Sequence, residues 1–201
     1  LALLAADRIA RRAPATRLDA QAARQGLVEA GVPAEWIEIG EVALQGYASD
    51  VGPISLTPLA VVGPRDHEDV RRAVRFAAES GVPISARGAG SGLPGQSVGA
   101  GIVLDMRCMD EMRVEGEHPD GGKVVFAQAG AICTRLNNFL KPHGVFLASY
   151  PASTDMATIG GMIANNASGA NSCKLGTTQH HVLDLHVVLA DGTDLWTSDI
   201  D

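Results

Sequence analysis

Between Asp66 and Ser80 the apolar residues Val70, Ala73, Val74 and Ala77 recur at helical spacing among charged neighbours, and Gly81 follows as a stop. The spacing predicts an amphipathic helix over 66–80. It is bracketed by two short apolar runs, Leu59–Val62 and Val82–Ala86, that read as parallel strands of a right-handed βαβ unit. A second lobe is predicted to open near Ile102. It would contain a strand over Val124–Gln128, a helix over Ala131–Leu140 stopped by Pro142 and Gly144, and a strand over Val145–Ala148. A long strand over Val182–Leu189 should turn at Asp191-Gly192 into its partner, Thr193–Thr197. Upstream, Leu1 to Gly46 alternates helical stretches with breaks at Pro14, Gly31 and Pro33, and Leu27, Val28 and Trp36 are its docking points. That lead carries no readable chemistry.

Two glycine-rich segments interrupt this pattern. In the first, from Arg87 to Gln96, Gly90, Gly92 and Gly95 satisfy the literal GxGxxG spacing of a dinucleotide-binding turn. The spacing has meaning only between a strand and a helix, and here Pro94 sits inside it while Ile102–Leu104 follows as a strand. A strand, a loop of backbone amides and another strand can still cradle phosphate oxygens as a nest, or can be a plain turn. The second segment runs from Tyr150 to Gly176. Ser153, Thr154 and Asp155 precede the apolar stretch Ala157–Ala164, as a helix N-cap would, which places Thr158 and the amides of Gly160 and Gly161 in a first turn where exposed N–H groups attract anions. Paired helical glycines, each about 1 kcal/mol worse than alanine, imply the close approach of a neighbouring strand or a ligand. Asn165, Asn166, Ser168 and Asn171 crowd around Gly169 as a polar surface loop.

The run from Pro151 to Gly192, in which ATIGG is followed by NNASG, together with RGAGSGLPGQ after a strand–helix–strand unit, resembles the FAD-binding domain of the vanillyl-alcohol oxidase and p-cresol methylhydroxylase family. The resemblance covers roughly Pro58 to Thr197 and points to the D-lactate, glycolate and D-2-hydroxyglutarate dehydrogenase branch. It implies an α+β fold of two subdomains clasping an extended FAD, over about 58–101 and 102–201, behind a helical lead over 1–57. Arg87, Gly88, Ala89, Gly90, Ser91, Gly92, Leu93 and Gln96 would then wrap the pyrophosphate. Pro151, Ser153, Thr154 and Asp155 would lie along the ribityl stretch, and Thr158, Gly160, Gly161, Asn165, Ser168 and Gly169 would form a second wall. Lys174 and Gly176 stand where relatives often show Arg-Tyr-Gly, and Val187 would pack near the adenine. Some members attach FAD through a histidine in the first loop; Ser91 stands there, so dissociable FAD is implied. The branch implies oxidation of a 2-hydroxy acid by hydride transfer to the flavin, with the catalytic histidine, substrate cap and electron acceptor all outside this chain. A cell-wall precursor reductase taking hydride from NADPH, or a sugar or alcohol oxidase, is the alternative.

The net charge of −7 speaks against a nucleic-acid partner, and Arg8, Arg11, Arg12 and Arg17, the one basic run, reads as a solvated helix face. The three cysteines, Cys108, Cys133 and Cys173, show no CxxC spacing and read as reduced cytoplasmic thiols, so no metal site is expected. Each of the six histidines reads as a surface or satisfied residue. No apolar run reaches membrane-spanning length. The 201 residues suffice for one large or two small domains, and the chain is expected to stop at a domain edge, short of the substrate cap.

Overall fold

A computed structural model describes residues 18–200, so the basic run from Arg8 to Arg17 lies outside the described residues. Helix α1 (Ala20–Glu29) starts at Asp19, whose side chain accepts from the Ala22 amide at 2.8 Å. After a single 3₁₀ turn come strand β1 (Ile37–Glu38) and helix α2 (Glu41–Gln45). The lead is therefore not purely helical: β1 joins the first sheet as an antiparallel edge beside β2 (Ala60–Val62), and Leu27 of α1 is fully buried in the core.

Helix α3 (His67–Ser80) follows β2. Asp66 caps its start by accepting from the Asp69 amide at 3.0 Å, and Gly81 ends it at φ 70°, a left-handed conformation that favours glycine. Strand β3 (Ile84–Arg87) runs parallel to its neighbour β4 (Ile102–Asp105), and β4 runs parallel to β2. The sheet order is β1-β2-β4-β3, so β4 lies between the two strands that flank α3. The sequence reading opened a second lobe at Ile102, but Ile102–Asp105 is the buried centre of the first. The physical reason is that a strand with every residue buried needs a neighbour on both edges and cover on both faces. Ala60, Val62, Ile102 and Leu104 pack under α1 and α3, while Val61 and Val103 meet Leu44 of α2 on the opposite face.

The second lobe has a separate core. Strands β5 (Met112–Glu117) and β6 (Lys123–Ala127) form an antiparallel hairpin with an irregularity between Val114 and Gly116. Helices α4 (Cys133–Leu140) and α5 (Ile159–Ala164) pack on it through Leu136, Leu140, Ile159 and Met162. Strand β5 was not anticipated, because Arg113, Glu115 and Glu117 fill alternate exposed positions between half-buried ones. The strand predicted over Val145–Ala148 is absent, and only His186–Val188 of the Val182–Leu189 stretch is strand. After the short helix α6 (Ser172–Leu175), this β7 (His186–Val188) pairs with β8 (Asp194–Trp196), and the hairpin seats Val188 against the core of the first lobe. Among the described residues, no helix is long and apolar enough to cross a membrane.

Candidate functional site

The fold brings the two glycine segments into contact. The loop leaving β3 passes over the start of α5 so closely that a methyl group on Gly88 would overlap Thr158 Oγ1 and lie 3.2 Å from Thr158 Cβ and Cγ2. Thr158 is buried and is the N-cap of α5, with its hydroxyl accepting from the Gly161 amide at 3.3 Å. Further along the loop, Gln96 Nε2 donates to Asn165 Oδ1 at 3.2 Å, at the other end of the same helix.

The loop is braced from behind. Arg87 is buried, its side chain turned into the protein, where it donates to the Ser49 carbonyl at 2.9 Å and the Ser97 carbonyl at 3.4 Å and stands over the Tyr47 ring at 5.7 Å. The neighbouring Gly90 sits at φ 69°, where a side chain would be strained and would also meet the Arg87 guanidinium. Tyr47 in turn donates to Asp105 at 2.8 Å, and Arg107 grips both oxygens of that carboxylate at 2.8 and 2.7 Å. Burial pushes the Asp105 carboxyl up, but the bonds from Arg107 and Tyr47 outweigh it and hold it below the usual carboxylate range. Burial and the adjacent Asp105 push the Tyr47 hydroxyl up. Ser97 Oγ adds a 3.4 Å bond to Asp50. The segment from Tyr47 to Asp50 is thus what fixes the loop. Only long-range pairing reveals it.

With Arg87 turned inward beneath it and Leu93 exposed, the loop uses no side chain to occupy its own amides. From Ala89 to Gly92 no backbone N–H has an acceptor among the described residues, and all four residues are half-buried. A run of sheltered, unpaired amides has the donors that an anion nest needs.

The start of α5 is different from what the sequence predicts. Its cap is Thr158, not Ser153, Thr154 or Asp155. The exposed first-turn amides expected there are already used: Ile159 N bonds to the Ala131 carbonyl at 2.8 Å, Gly160 N to the Ala129 carbonyl at 2.8 Å, and Gly161 N to Thr158 Oγ1. This helix start is not an anion site. Gly160 exists for packing, since an added methyl would lie 2.7 Å from Ala129 Cβ; on Gly161 the same methyl would meet only Thr158 Oγ1, at 3.2 Å.

The remaining candidates are spread around this seam. Asp155 is exposed and accepts from Thr134 Oγ1 at 2.7 Å, at the start of α4, and the Thr154 carbonyl accepts from the Thr134 amide at 3.2 Å. The Ser153 carbonyl closes the turn onto Met156 and Ala157, with Pro151 half-buried beside it. Gly169 lies against the Tyr150 carbonyl and donates its amide to Ser172 Oγ at 2.9 Å; Ser168 is exposed. Lys174 is exposed near the end of α6, and Gly176 turns at φ 84° against His180. Val187 lies on the face of β7 opposite His186 and Val188, so it faces away from α3.

Residues 58–198 match a family described as FAD binding domain. A D-2-hydroxyglutarate dehydrogenase of Pseudomonas putida is 40% identical over 161 residues, which is 77% of this chain and 15% of that protein. A D-lactate dehydrogenase of Archaeoglobus fulgidus is 37% identical over 144 residues, 71% of this chain and 31% of that protein. Among solved structures, an alkyldihydroxyacetonephosphate synthase superposes with a TM-score of 0.76 at 22% identity, over 95% of this chain and 38% of its own, a likeness of fold. The chain therefore spans less than a third of the length of either curated relative.

Proposed function

The chain belongs to the FAD binding domain family, and from that premise we propose that it is the cofactor-holding part of a flavin-dependent dehydrogenase acting on a 2-hydroxy acid. The observation that carries the reading is the run of unpaired amides from Ala89 to Gly92, which follows directly on the contact of Gly88 with the capped start of α5. Those amides suit the two negative charges of a pyrophosphate, which a loop of small residues lets approach the backbone. Bound FAD would supply the electron sink, taking up the hydride that leaves the α-carbon of the hydroxy acid.

The chain's own residues bind and orient. Arg87 and Tyr47 hold the loop in shape from beneath, so that its amides stay aligned without side-chain rearrangement when an anion arrives. Thr158 fixes the distance between loop and helix, and Gln96 with Asn165 closes the far end of the seam. In this reading Gly161, on which an added methyl would meet only Thr158 Oγ1, contacts the cofactor together with Ser168, Gly169 and Lys174 from the second glycine segment. Pro151, Ser153 and Thr154 hold the turn that leads into the seam, whereas Asp155 serves to anchor α4. No histidine occurs between Arg87 and Gln96, so the FAD is held without a covalent bond. The hydroxy-acid class follows the two dehydrogenases named above, which favour it over the NADPH-fed reductase reading. No acid–base role is proposed for a residue of this chain. The three unpaired thiols suit a reducing, cytoplasmic setting.

The test is the visible spectrum of the purified chain, followed by titration of flavin-free protein with FAD and FMN. A flavin band released on denaturation and restored by FAD but not FMN supports the reading. Folded protein that binds neither refutes it. In a full-length relative of this chain, reduction of the band by D-2-hydroxyglutarate or D-lactate tests the substrate class.

A further inference from the structure

His67 is far in sequence from His186 and Asp194, and each of the three is unremarkable alone. The fold gathers them: His67 is the first residue of α3, and His186 and Asp194 open β7 and β8, on the hairpin face that packs against that helix. One ligand atom from each lies within 4.8 Å of the other two. From this juxtaposition we propose that the three residues form a binding site for a divalent transition-metal ion of the zinc class, which clasps the β7–β8 hairpin to the first lobe.

The donor set suits such an ion. Two imidazole nitrogens and one carboxylate oxygen make up a common three-ligand site, and bond lengths near 2.0–2.2 Å bring ligand atoms to about 3.4 Å from one another in a tetrahedral arrangement. Closing from 4.8 Å falls mainly to rotation of the exposed His67 side chain, because His186 Nε2 and Asp194 Oδ2 already face each other at 2.8 Å. The surrounding groups hold the ligands in place. His186 stacks on Trp196 with ring centroids 4.7 Å apart and planes 7° apart, which fixes its ring plane. The rings of His67 and His186 are 4.9 Å apart. Asp194 Oδ2 faces His186 Nε2 at 2.8 Å, while Oδ1 is held by Arg71 Nε at 3.1 Å. A carboxylate with one oxygen anchored presents the other as a monodentate ligand. The Arg71 charge would weaken the site, and it is itself paired with Glu68 at 2.7 Å. On ion binding, His186 Nε2 must give up its hydrogen bond to Asp194 and carry no proton, so the neutral ring keeps its one N–H on Nδ1. Water fills the remaining position.

The experiment is isothermal titration of Zn²⁺ into the chelator-treated chain, repeated with His67→Ala and His67→Gln, with Co²⁺ absorption as a second readout. Both variants leave the His186–Trp196 stack and the His186–Asp194 bond in place, and circular dichroism checks that they fold. The expected result is one Zn²⁺ per chain with micromolar affinity, weakened at least tenfold by either substitution. Bound Co²⁺ should show visible bands without the near-ultraviolet absorption of thiolate ligation. No binding below millimolar Zn²⁺, affinity unchanged in the His67 variants, or a thiolate signature from the exposed Cys173 would each overturn the proposal. The titration needs no flavin, so it stands or falls apart from the FAD reading.

Discussion

Replacing Gly88 by alanine tests the seam between the two glycine segments directly. The added methyl would overlap Thr158 Oγ1 and meet Cβ and Cγ2 of the same side chain at 3.2 Å, and Thr158 is only 2% exposed, so it has little room to withdraw. Either the loop moves off the helix by about 1 Å, or Thr158 rotates and surrenders its bond to the Gly161 amide. Overpacking of this kind costs about 1–3 kcal/mol, and a lost threonine cap about 1 kcal/mol. A net loss of about 2 kcal/mol corresponds to a fall in Tm of about 4–8 °C for a chain of this size. The decisive measurement is a double-mutant cycle by urea unfolding with Thr158→Ala, which removes both Oγ1 and Cγ2. On that background Gly88→Ala should be nearly neutral, giving a coupling on the order of 1–2 kcal/mol. Additive effects, or a Tm change under about 1 °C for Gly88→Ala alone, would refute the contact as the reason for the glycine.

Other expectations follow from the same geometry. Arg87→Met strips the Ser49 and Ser97 carbonyls of their donor and should cost about 2–3 kcal/mol in urea unfolding. It should also weaken FAD binding in a fluorescence titration, and Arg87→Lys should recover only part, since an ammonium lacks the planar fork. Gly160→Ala should destabilise the chain by about 1–3 kcal/mol through Ala129. Gly161→Ala gains helix propensity but presses on the buried Thr158 Oγ1 at 3.2 Å, so stability should change by less than about 1 kcal/mol, while bulkier Gly161→Val lowers FAD content in folded protein. The Asp105 carboxyl is held below its ordinary value in the folded state, so its contribution is complete above the unfolded pKa of about 3.9 and is lost as pH falls through the lower folded value. The stability gap between the native chain and Asp105→Asn should accordingly be wide at neutral pH and shrink in acid, as measured by urea unfolding across pH.

What was legible in the sequence was local. The helix from Asp66 to Gly81 could be read almost to the residue because periodicity, an aspartate cap and a glycine stop all lie within one stretch of chain. The same holds for the absence of a helix after Arg87, which excluded a Rossmann site: Pro94 and the strand at Ile102 are local signals. The cap of α5 lies a few residues beyond the expected one because Ser153, Thr154, Asp155 and Thr158 are all competent caps, and only the tertiary bonds that the Ile159 and Gly160 amides donate to the Ala131 and Ala129 carbonyls select the last. The glycines looked alike in sequence, yet Gly160 serves a neighbouring backbone and Gly90 an arginine.

The sequence by itself determined the family, the two glycine segments, the cofactor class and the main amphipathic helix, because each depends on residues close along the chain. The tertiary structure alone decided that β4 lies inside the first sheet, that Tyr47 and Ser49 brace the loop, that the free amides belong to Ala89–Gly92 and not to α5, and that His67 meets His186 and Asp194. Each of those is a pairing between distant segments. Local propensity carries no information about such pairings, because it is the burial of shared apolar faces that chooses the partner.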